Sequence, residues 1–523
     1  METPKYPAGA TRAILVATAI SCALLELIDT TVVNVSLREI SGSIGATTTE
    51  IAWVITAYSI ANVIVIPLSG MFSNFFGRKR YFTTSVAIFT FASLMCGLST
   101  NLWVLVFWRF VQGLGGGGLL STAQSIIMDA FPPEKRTTGL MIFGLGVIVG
   151  PSFGPVLGGY ITDTFSWHWI FFLNIPIGAV AAFLSWKFVP DLENVEKPRI
   201  DWLGIFLLVV GIGTLQYVLE EGASKDWFES AEITWCAVTS LIFMTAFIIR
   251  ELSIDYPAVN LRLYRNFNLA LGNGLNLMTG IIFNGTLFAF PLFAQLSLGW
   301  TATQTGAFMI PGALVAIPAM ITVKVLMDNK GWNPKFIMAL GMIMTVIPLA
   351  LISFSSPDSS SSNLFWPFIL RGFGVLFLVM PVLGLATVGL TGKDLAQAIG
   401  LSNMLRQLGS AIGVALMGIY VNHENAFVRN NMIGNISEYN PLSTDIISSY
   451  TQTFQSNGSG PDEASNIAYQ LIDNVLTKQQ LLVSYNHSFM TAAAAVLLCL
   501  PILLLIRYKK GQHSASEQSD MAH

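Results

Sequence analysis

The chain has 523 residues, of which only 27 are lysine or arginine and 30 are aspartate or glutamate. Charged residues make up 11% of the sequence, against about 25% in an ordinary soluble domain, while hydrophobic residues make up 53% and the mean hydropathy is +0.62. These values exclude a water-soluble enzyme, a nucleic-acid-binding protein and a disordered chain, and they leave a protein whose surroundings are mostly lipid.

Apolar runs of about 20 residues, the length that crosses a bilayer as a helix, recur along the whole chain. Breaks at charged residues, prolines and glycines divide these runs into fourteen predicted transmembrane helices, which makes the fold class an all-α membrane protein. We interpret the first run as a retained helix rather than a signal peptide, because it carries Glu26 and Asp29 and lacks a small-residue cleavage site. The predicted spans are 13–37, 51–73, 82–99, 102–128, 137–161, 168–189, 202–219, 231–249, 268–297, 302–326, 335–355, 363–389, 395–420 and 487–507.

The positive charges predict the orientation of these spans. An even number of spans puts both termini on one side, and twenty of the 27 Lys and Arg residues fall in segments on that side, against four on the other. Because positively charged loops stay in the cytoplasm, both termini are predicted to be cytoplasmic. The long outer segment 421–486 is polar, with an amphipathic stretch near 464–482.

Two stretches of the sequence are alike and indicate an internal repeat. Arg109 in the fourth span and Arg371 in the twelfth lie about seven or eight residues into their spans, and small residues follow each. A separation of eight spans fits two six-helix halves with two extra helices between them, an arrangement typical of transporters. The predicted parts are an N-terminal bundle, two linker helices, a C-terminal bundle and a disordered tail, at 1–190, 191–262, 263–510 and 511–523.

Five motifs stand in order on the first helix, the loop after the second helix, and the fourth, fifth and sixth helices: 27–37, 70–80, 109–113, 150–159 and 167–178. With these motifs the chain resembles the fourteen-span drug:proton antiporters of the major facilitator superfamily, the EmrB/QacA type. The resemblance implies the fold of that superfamily, with two six-helix bundles plus two additional linker helices. Asn74 and His168 depart from the family pattern, which commonly has aspartate and arginine there.

Two acidic residues in the first span carry the functional argument. Glu26 and Asp29 lie three residues apart and share a helix face. A charge at the bilayer centre costs about 2.5–3.5 kcal/mol on insertion scales, so the pair needs a water-filled cavity, a cationic partner or a proton. Arg109 lies at a similar depth and is the predicted partner. We predict that Glu26, Asp29 and Arg109 couple transport to protons; the alternatives are a hydrogen-bonded structural pair and a static clamp between helices.

A second set of residues is predicted to gate the transport path. Gly150, Gly154 and Gly158 recur every four residues and give the fifth span a flat stripe for close helix packing, which is also the simpler alternative role. Prolines beside this stripe favour a bend. The predicted gating residues are Gly70, Gly77, Arg78, Gly150, Pro151, Gly154, Pro155, Gly158, Gly159 and Arg371. A topology signal remains the alternative for Arg78, and a structural pairing remains the alternative for Arg371.

Polar and aromatic residues inside the spans are the candidates for substrate contact. Apolar walls with a few polar groups suit lipophilic compounds, and the acids favour cationic ones. The predicted substrate-binding residues are Glu26, Asn34, Tyr58, Gln124, Asn276, Phe283, Asn284 and Arg406. The four cysteines lie far apart in apolar runs, and the five histidines lie outside such runs. No metal site is therefore predicted, and no cofactor is expected.

The predicted function is proton-coupled multidrug efflux by alternating access, since no nucleotide-binding motif occurs and an ion gradient must supply the energy. The alternatives are a proton-coupled exporter of one specific metabolite, lipid or siderophore, and a membrane enzyme or signalling protein, for which no catalytic motif is found. Lipophilic small molecules and protons are the expected ligands, and nucleic acid is not. The resemblance implies an inner-membrane location, and a periplasmic adaptor with an outer-membrane channel docking at 421–486.

Overall fold

A computed structural model of the chain describes residues 7, 9–132, 135–190, 200–387, 390, 392–434 and 441–506. These residues are overwhelmingly helical, and no strand occurs in the described part of the chain, so the predicted all-α class is confirmed. The tail 511–523, predicted to be disordered, lies outside the described residues. The α-helices are α1 (Gly9–Ile44), α2 (Thr48–Ile51), α3 (Trp53–Phe76), α4 (Arg78–Gly97), α5 (Leu102–Gly116), α6 (Leu119–Ala130), α7 (Arg136–Thr164), α8 (His168–Phe172), α9 (Asn174–Phe188), α10 (Trp202–Glu221), α11 (Ala231–Ser253), α12 (Phe267–Leu292), α13 (Ala302–Leu314), α14 (Ala316–Lys324), α15 (Pro334–Ile352), α16 (Ser361–Thr387), α17 (Gly392–Ile433), α18 (Pro441–Ser456) and α19 (Pro461–Cys499).

Twelve helical segments within the described ranges are long and apolar enough to cross a membrane, which establishes a multi-pass membrane protein. The predicted spans 82–99 and 137–161 are not among the twelve and correspond to α4 and α7, of 20 and 29 residues. The basic residues 78–80 at the start of α4 lower its mean hydropathy, and several side chains of α7 lie outside what the structure describes. The count of fourteen spans therefore stays a prediction.

The predicted spans 395–420 and 487–507 are too short. α17 continues to Ile433 and α19 already begins at Pro461, so much of the segment predicted as a polar outer loop is helical. α18 packs against α19. An ion pair of 2.6 Å between Arg429 and Asp473 ties α17 to α19, which makes this helical extension (421–434 with 441–486) a folded structure rather than an irregular loop.

The helices pack into two groups, one that includes α1 and one that includes α17. α1 packs against α6, α7 and α9, and α5 packs against α3 and α4. Further along the chain α12 packs against α16 and α17, while α15 packs against α16 and α19. Contacts of α17 with α3 and α6 join these two groups, and α10 packs against both α3 and α11. The predicted domain boundaries stay a prediction.

Glycines permit the closest of these helix contacts, between α12 and α17. An added Cβ at Gly413 would lie 2.7 Å from the carbonyl carbon of Ile281, and one at Gly280 would lie 3.1 Å from the Cα of Gly409. Real Cβ atoms do not approach backbone atoms this closely, so the two helices can touch along this line only while the positions lack side chains.

We expect Gly413→Ala to force α12 and α17 apart and to destabilise the protein by about 1–3 kcal/mol, the usual cost of overpacking. Melting of the purified protein in detergent, followed by intrinsic fluorescence, measures the effect. Gly418→Ala on the same helix is the matched control, because no atom lies within 4 Å of a Cβ there. Equal melting temperatures for the two variants would contradict the packing argument.

Candidate functional site

The two acidic residues of α1 are both buried but form hydrogen bonds with different neighbours. Glu26 is 6% exposed and Asp29 is 2% exposed. They lie less than one helical turn apart, and in the structure they share no hydrogen-bond partner. The expectation that Arg109 would meet both acids is thus half met, because Arg109 reaches only Asp29.

Asp29 lies at the centre of a closed polar network that we call the Asp29 cluster: Asp29, Arg109, Gln112 and Asn174. Arg109 Nη1 donates to Asp29 Oδ2 at 2.6 Å, and Gln112 Nε2 and Asn174 Nδ2 both donate to Oδ1 at 2.9 Å. Arg109 also donates to Gln112 Oε1 at 2.8 Å. Both carboxylate oxygens are therefore satisfied, and the charge of Asp29 is matched by one cation.

Arg109 also contacts α3. Its Nε donates to the carbonyl oxygen of Val54 at 3.1 Å, and its guanidinium lies 4.2 Å from the centre of the Tyr58 ring. The residue is 1% exposed. The Asp29 cluster thus joins α1, α3, α5 and α9 through a buried, compensated charge pair, which is the geometry expected of a clamp between helices.

Glu26 is held by neutral groups only among the described residues. Asn62 Nδ2 donates to Glu26 Oε1 at 2.9 Å, and the backbone N–H of Leu120 donates to Oε2 at 3.1 Å. No described cation lies within ion-pair distance of Glu26. A buried carboxylate without a bound cation is the form in which a proton is most easily taken up.

A break in the predicted span 102–128 creates this arrangement. The helix ends at Gly116 and restarts as α6 at Leu119, so the first N–H groups of α6 have no partner within the helix. The amide of Leu120 is one of them. Glycine is required at the break, because a Cβ at Gly117 would lie 2.5 Å from the carbonyl oxygen of Asn62 on α3.

Arg406 faces Glu26 from α17, on the other side of the contact between the two groups of helices. The two charges interact electrostatically but lie too far apart for an ion pair within 4.0 Å. One turn earlier on α17, Asn403 donates to Ser121 Oγ and Gln124 Oε1 of α6, both at 3.1 Å. Glu26 therefore lies beside a polar contact that connects the two halves of the chain.

The predicted gating glycines lie at helix crossings. Added Cβ atoms at Gly150 and Gly158 would lie 3.1 Å from Leu24 Cδ2 and 3.0 Å from the Val32 carbonyl oxygen, so the glycine stripe of α7 packs against α1. Gly154 faces Thr31 in the same row, and Gly159 has no neighbour within 4 Å. α7 is continuous through Pro151 and Pro155, whose side chains lie outside what the structure describes.

Three other predicted gating residues, Gly70, Gly77 and Arg78, lie where helices meet. Gly77 joins α3 to α4 with a φ of 86°, a left-handed conformation that favours glycine. Arg78, 3% exposed, pairs with Asp129 of α6 at 2.6 Å. Gly70 of α3 meets α17, where its added Cβ would lie 3.1 Å from Gln397 Cα.

Arg371, paired in our sequence analysis with Arg109, has a different environment. It donates to the carbonyl oxygen of Phe283 at 3.2 Å and to Thr286 Oγ1 at 2.8 Å, and no described carboxylate pairs with it. It lines a cavity of about 30 Å³ whose other walls are mostly apolar residues of α12, α15, α16 and α19. The repeat is therefore not symmetric in charge.

The structure brings only part of the predicted substrate set together. Glu26 and Arg406 lie around the contact between the halves, with Gln124 bound to Asn403 nearby, whereas the ring of Tyr58 packs on Arg109 of the Asp29 cluster. The other four are dispersed: Asn34 is exposed on α1, Asn276 is buried in α12, Asn284 donates to the Gly280 carbonyl of its own helix, and Phe283 faces Arg371.

Three residues of the site were not among those predicted for coupling or substrate contact. Gln112 follows Arg109 by three positions and Asn403 precedes Arg406 by three, so each shares a helix face with a predicted residue. That spacing is a usable signal. Asn174 has no such neighbour, and its signal in the sequence is its place in the motif 167–178.

Comparison with known proteins shows which family and which solved structures this chain is similar to. The family model for the Major Facilitator Superfamily matches residues 19–414. Fatty acid resistance protein FarB of Neisseria gonorrhoeae is 31% identical, covering 92% of this chain and 94% of that protein, and multidrug export protein EmrB of Haemophilus influenzae is 31% identical, covering 95% and 96%. The crystal structure of the human organic anion transporter MFSD10 (TETRAN) matches with a TM-score of 0.60 at 13% identity, over 94% of this chain and 99% of that one, which bears on the fold alone.

We expect Asp29→Asn to lower stability strongly, because it leaves the buried Arg109 charge without a counterion, a loss of about 3–5 kcal/mol. Glu26→Gln should cost much less, since its partners are neutral. Melting in detergent compares the two, with Asp29→Asn/Arg109→Gln expected to recover part of the loss. If Glu26→Gln proved the more destabilising variant, Asp29 would not have the clamp role.

Proposed function

This chain belongs to the Major Facilitator Superfamily, a family of membrane transporters, and from that premise we propose that it exports hydrophobic compounds in exchange for protons. The observation that carries the proposal is Glu26, a buried carboxylate held by neutral donors where α1, α3 and α6 meet α17. The resemblance inferred from the five sequence motifs is confirmed by the family match; the proton coupling rests on Glu26.

In the proposed cycle, Glu26 alternates between a charged and a protonated state. The charged form attracts Arg406 across the contact between the halves or holds a cationic substrate, and protonation removes that attraction. One charge that moves through a potential of 100 mV releases about 2.3 kcal/mol, so a single proton can drive the step. The two halves rock about this contact, as expected for duplicated bundles.

The Asp29 cluster has a positioning role in this proposal. Because Asp29 is already compensated by Arg109, the cluster fixes α1 relative to α5 and α9 and thereby sets the position of Glu26. The glycine stripe of α7 faces α1 without side chains of its own, so it offers little resistance to sliding between these two helices. This suits a movement of α1 relative to α7 when Glu26 changes charge.

Two substrate classes fit different parts of the interior. Glu26 supports export of hydrophobic cations, in line with relatives named multidrug export proteins. Arg371, a buried cation beside a mostly apolar cavity and without a described acidic partner, supports a second candidate, export of one class of lipophilic anion. One relative is named for fatty acid resistance. Efflux assays with a cationic dye and with a long-chain carboxylate separate the two.

We further propose that the protein lies in the inner membrane with both termini in the cytoplasm, which places the helical extension outside. The extension carries exposed apolar side chains, among them Phe427 at 58% and Val475 at 63% exposure, and these support docking of a periplasmic adaptor that leads to an outer-membrane channel. Crosslinking from cysteines placed at these two positions tests the orientation and the partner together.

We expect Glu26→Gln to abolish substrate efflux driven by a pH gradient in proteoliposomes, while exchange of labelled for unlabelled substrate without a gradient continues. The reason is that glutamine keeps acceptor and donor atoms at the site but cannot take up a proton. The assay is run over a panel of hydrophobic cations and anions, which also reports the substrate class.

Glu39→Gln is the matched control, because Glu39 is exposed on the same helix. It should transport like the unmodified protein. Full gradient-driven efflux by Glu26→Gln would overturn the coupling proposal, and equal loss in both variants would indicate a general effect on α1.

A further inference from the structure

A second buried acidic site lies away from Glu26, where α10 packs against α3. Glu220 and Glu221 end α10, and Gln216 lies one turn earlier on the same helix. Glu221 is 5% exposed and Gln216 is 1% exposed. Residues 191–262 were predicted only as linker helices, so neither the sequence motifs nor the proposed transport cycle uses this site.

The hydrogen bonds at this site leave acceptors without donors. Gln216 Nε2 donates to Glu220 Oε1 at 2.7 Å, and Glu221 accepts from Thr56 Oγ1 of α3 at 3.1 Å and from Ser224 Oγ at 3.1 Å. Glu220 Oε2 and Gln216 Oε1 are inaccessible and have no hydrogen-bond partner among the described residues. Leaving a buried acceptor unpaired is unfavourable, so the site favours the binding of one more donor.

The charges around the site also favour the binding of a proton. Two adjacent carboxylates repel each other, and the groups that face them from α3, Thr56 and Ser59, are neutral. The nearest loop cation, Lys225, already binds Glu232 at 2.7 Å and the Tyr217 hydroxyl at 2.6 Å. No ion pair to Glu220 or Glu221 exists among the residues that the structure describes.

We propose that Glu220 is a second proton-binding site, and that the proton it carries links Glu220 Oε2 to Gln216 Oε1 within α10, beside the contact of Glu221 with α3. Protonation removes the repulsion from Glu221 and supplies the donor that the site lacks. The same helix α3 presents Asn62 to Glu26, so the linker helices sense pH on the helix that also borders the transport site. The proposal does not depend on Glu26 being the coupling residue.

Difference infrared spectroscopy on the protein in lipid nanodiscs tests the proposal directly, by the stretching band of a buried protonated carboxyl at neutral pH. We expect Glu220→Gln to remove one component of that band, whereas Glu26→Gln and the exposed control Glu229→Gln keep it. Gln216→Met should shift the frequency of the component without removing it, since the bond to Glu220 Oε1 is lost but the proton stays.

Thermal melting against pH gives an independent readout. Because the proton satisfies two buried acceptors and removes the repulsion from Glu221, the melting temperature of the unmodified protein should fall as pH rises through the titration of Glu220, and Glu220→Gln should flatten that dependence. Absence of the band in the unmodified protein would overturn the proposal. So would a rise in melting temperature on adding Na⁺ at constant pH that Glu220→Gln abolishes, since it would assign the site to a metal cation.

Discussion

The structure depends first on one buried charge pair, Asp29 with Arg109. An isolated charge in the bilayer interior is costly, whereas a pair with all its hydrogen bonds satisfied is tolerated and resists separation. Because Gln112 and Asn174 complete the cluster, four helices are fixed to one another at this point. Everything proposed for Glu26 follows from that, since Glu26 lies less than one turn away on the helix that the pair anchors.

Arg109 and Arg371, which stand in similar stretches of sequence, have different environments in the two halves of the chain. Arg109 has a carboxylate partner and serves to lock helices together, while Arg371 is bound by a carbonyl and a hydroxyl group and borders a cavity. Two similar stretches of the sequence thus have different electrostatic environments. One half supplies a rigid support for a titratable acid, and the other half keeps a cation whose charge is not cancelled by a described acidic group.

The sequence alone predicted the helical class, the family and the pairing of Asp29 with Arg109, because charge is so rare here that equal depth in two spans is informative. It did not predict that Glu26 would bind Leu120, since 102–128 was predicted as one continuous span without a helix break that frees a backbone N–H. Polar composition at 421–486 likewise suggested a loop, although helices remain stable outside the bilayer when they pack on each other, as α18 and α19 do. Glu220 and Glu221 stand at the end of an apolar run, where exposure is the ordinary expectation, yet Glu221 is buried and Glu220 is half-buried.

The break between α5 and α6 gives the two oxygens of Glu26 unequal chemistry. The backbone N–H of Leu120 can only donate a hydrogen bond. The Glu26 oxygen that it binds must therefore stay an acceptor for the bond to persist. The Asn62 amide can turn its own oxygen towards a newly formed hydroxyl, so the oxygen beside it can gain a hydrogen without losing its neighbour. In the proposed cycle the backbone itself therefore favours protonation of the oxygen beside Asn62, and no side-chain substitution at residue 120 other than proline removes the N–H that sets this preference.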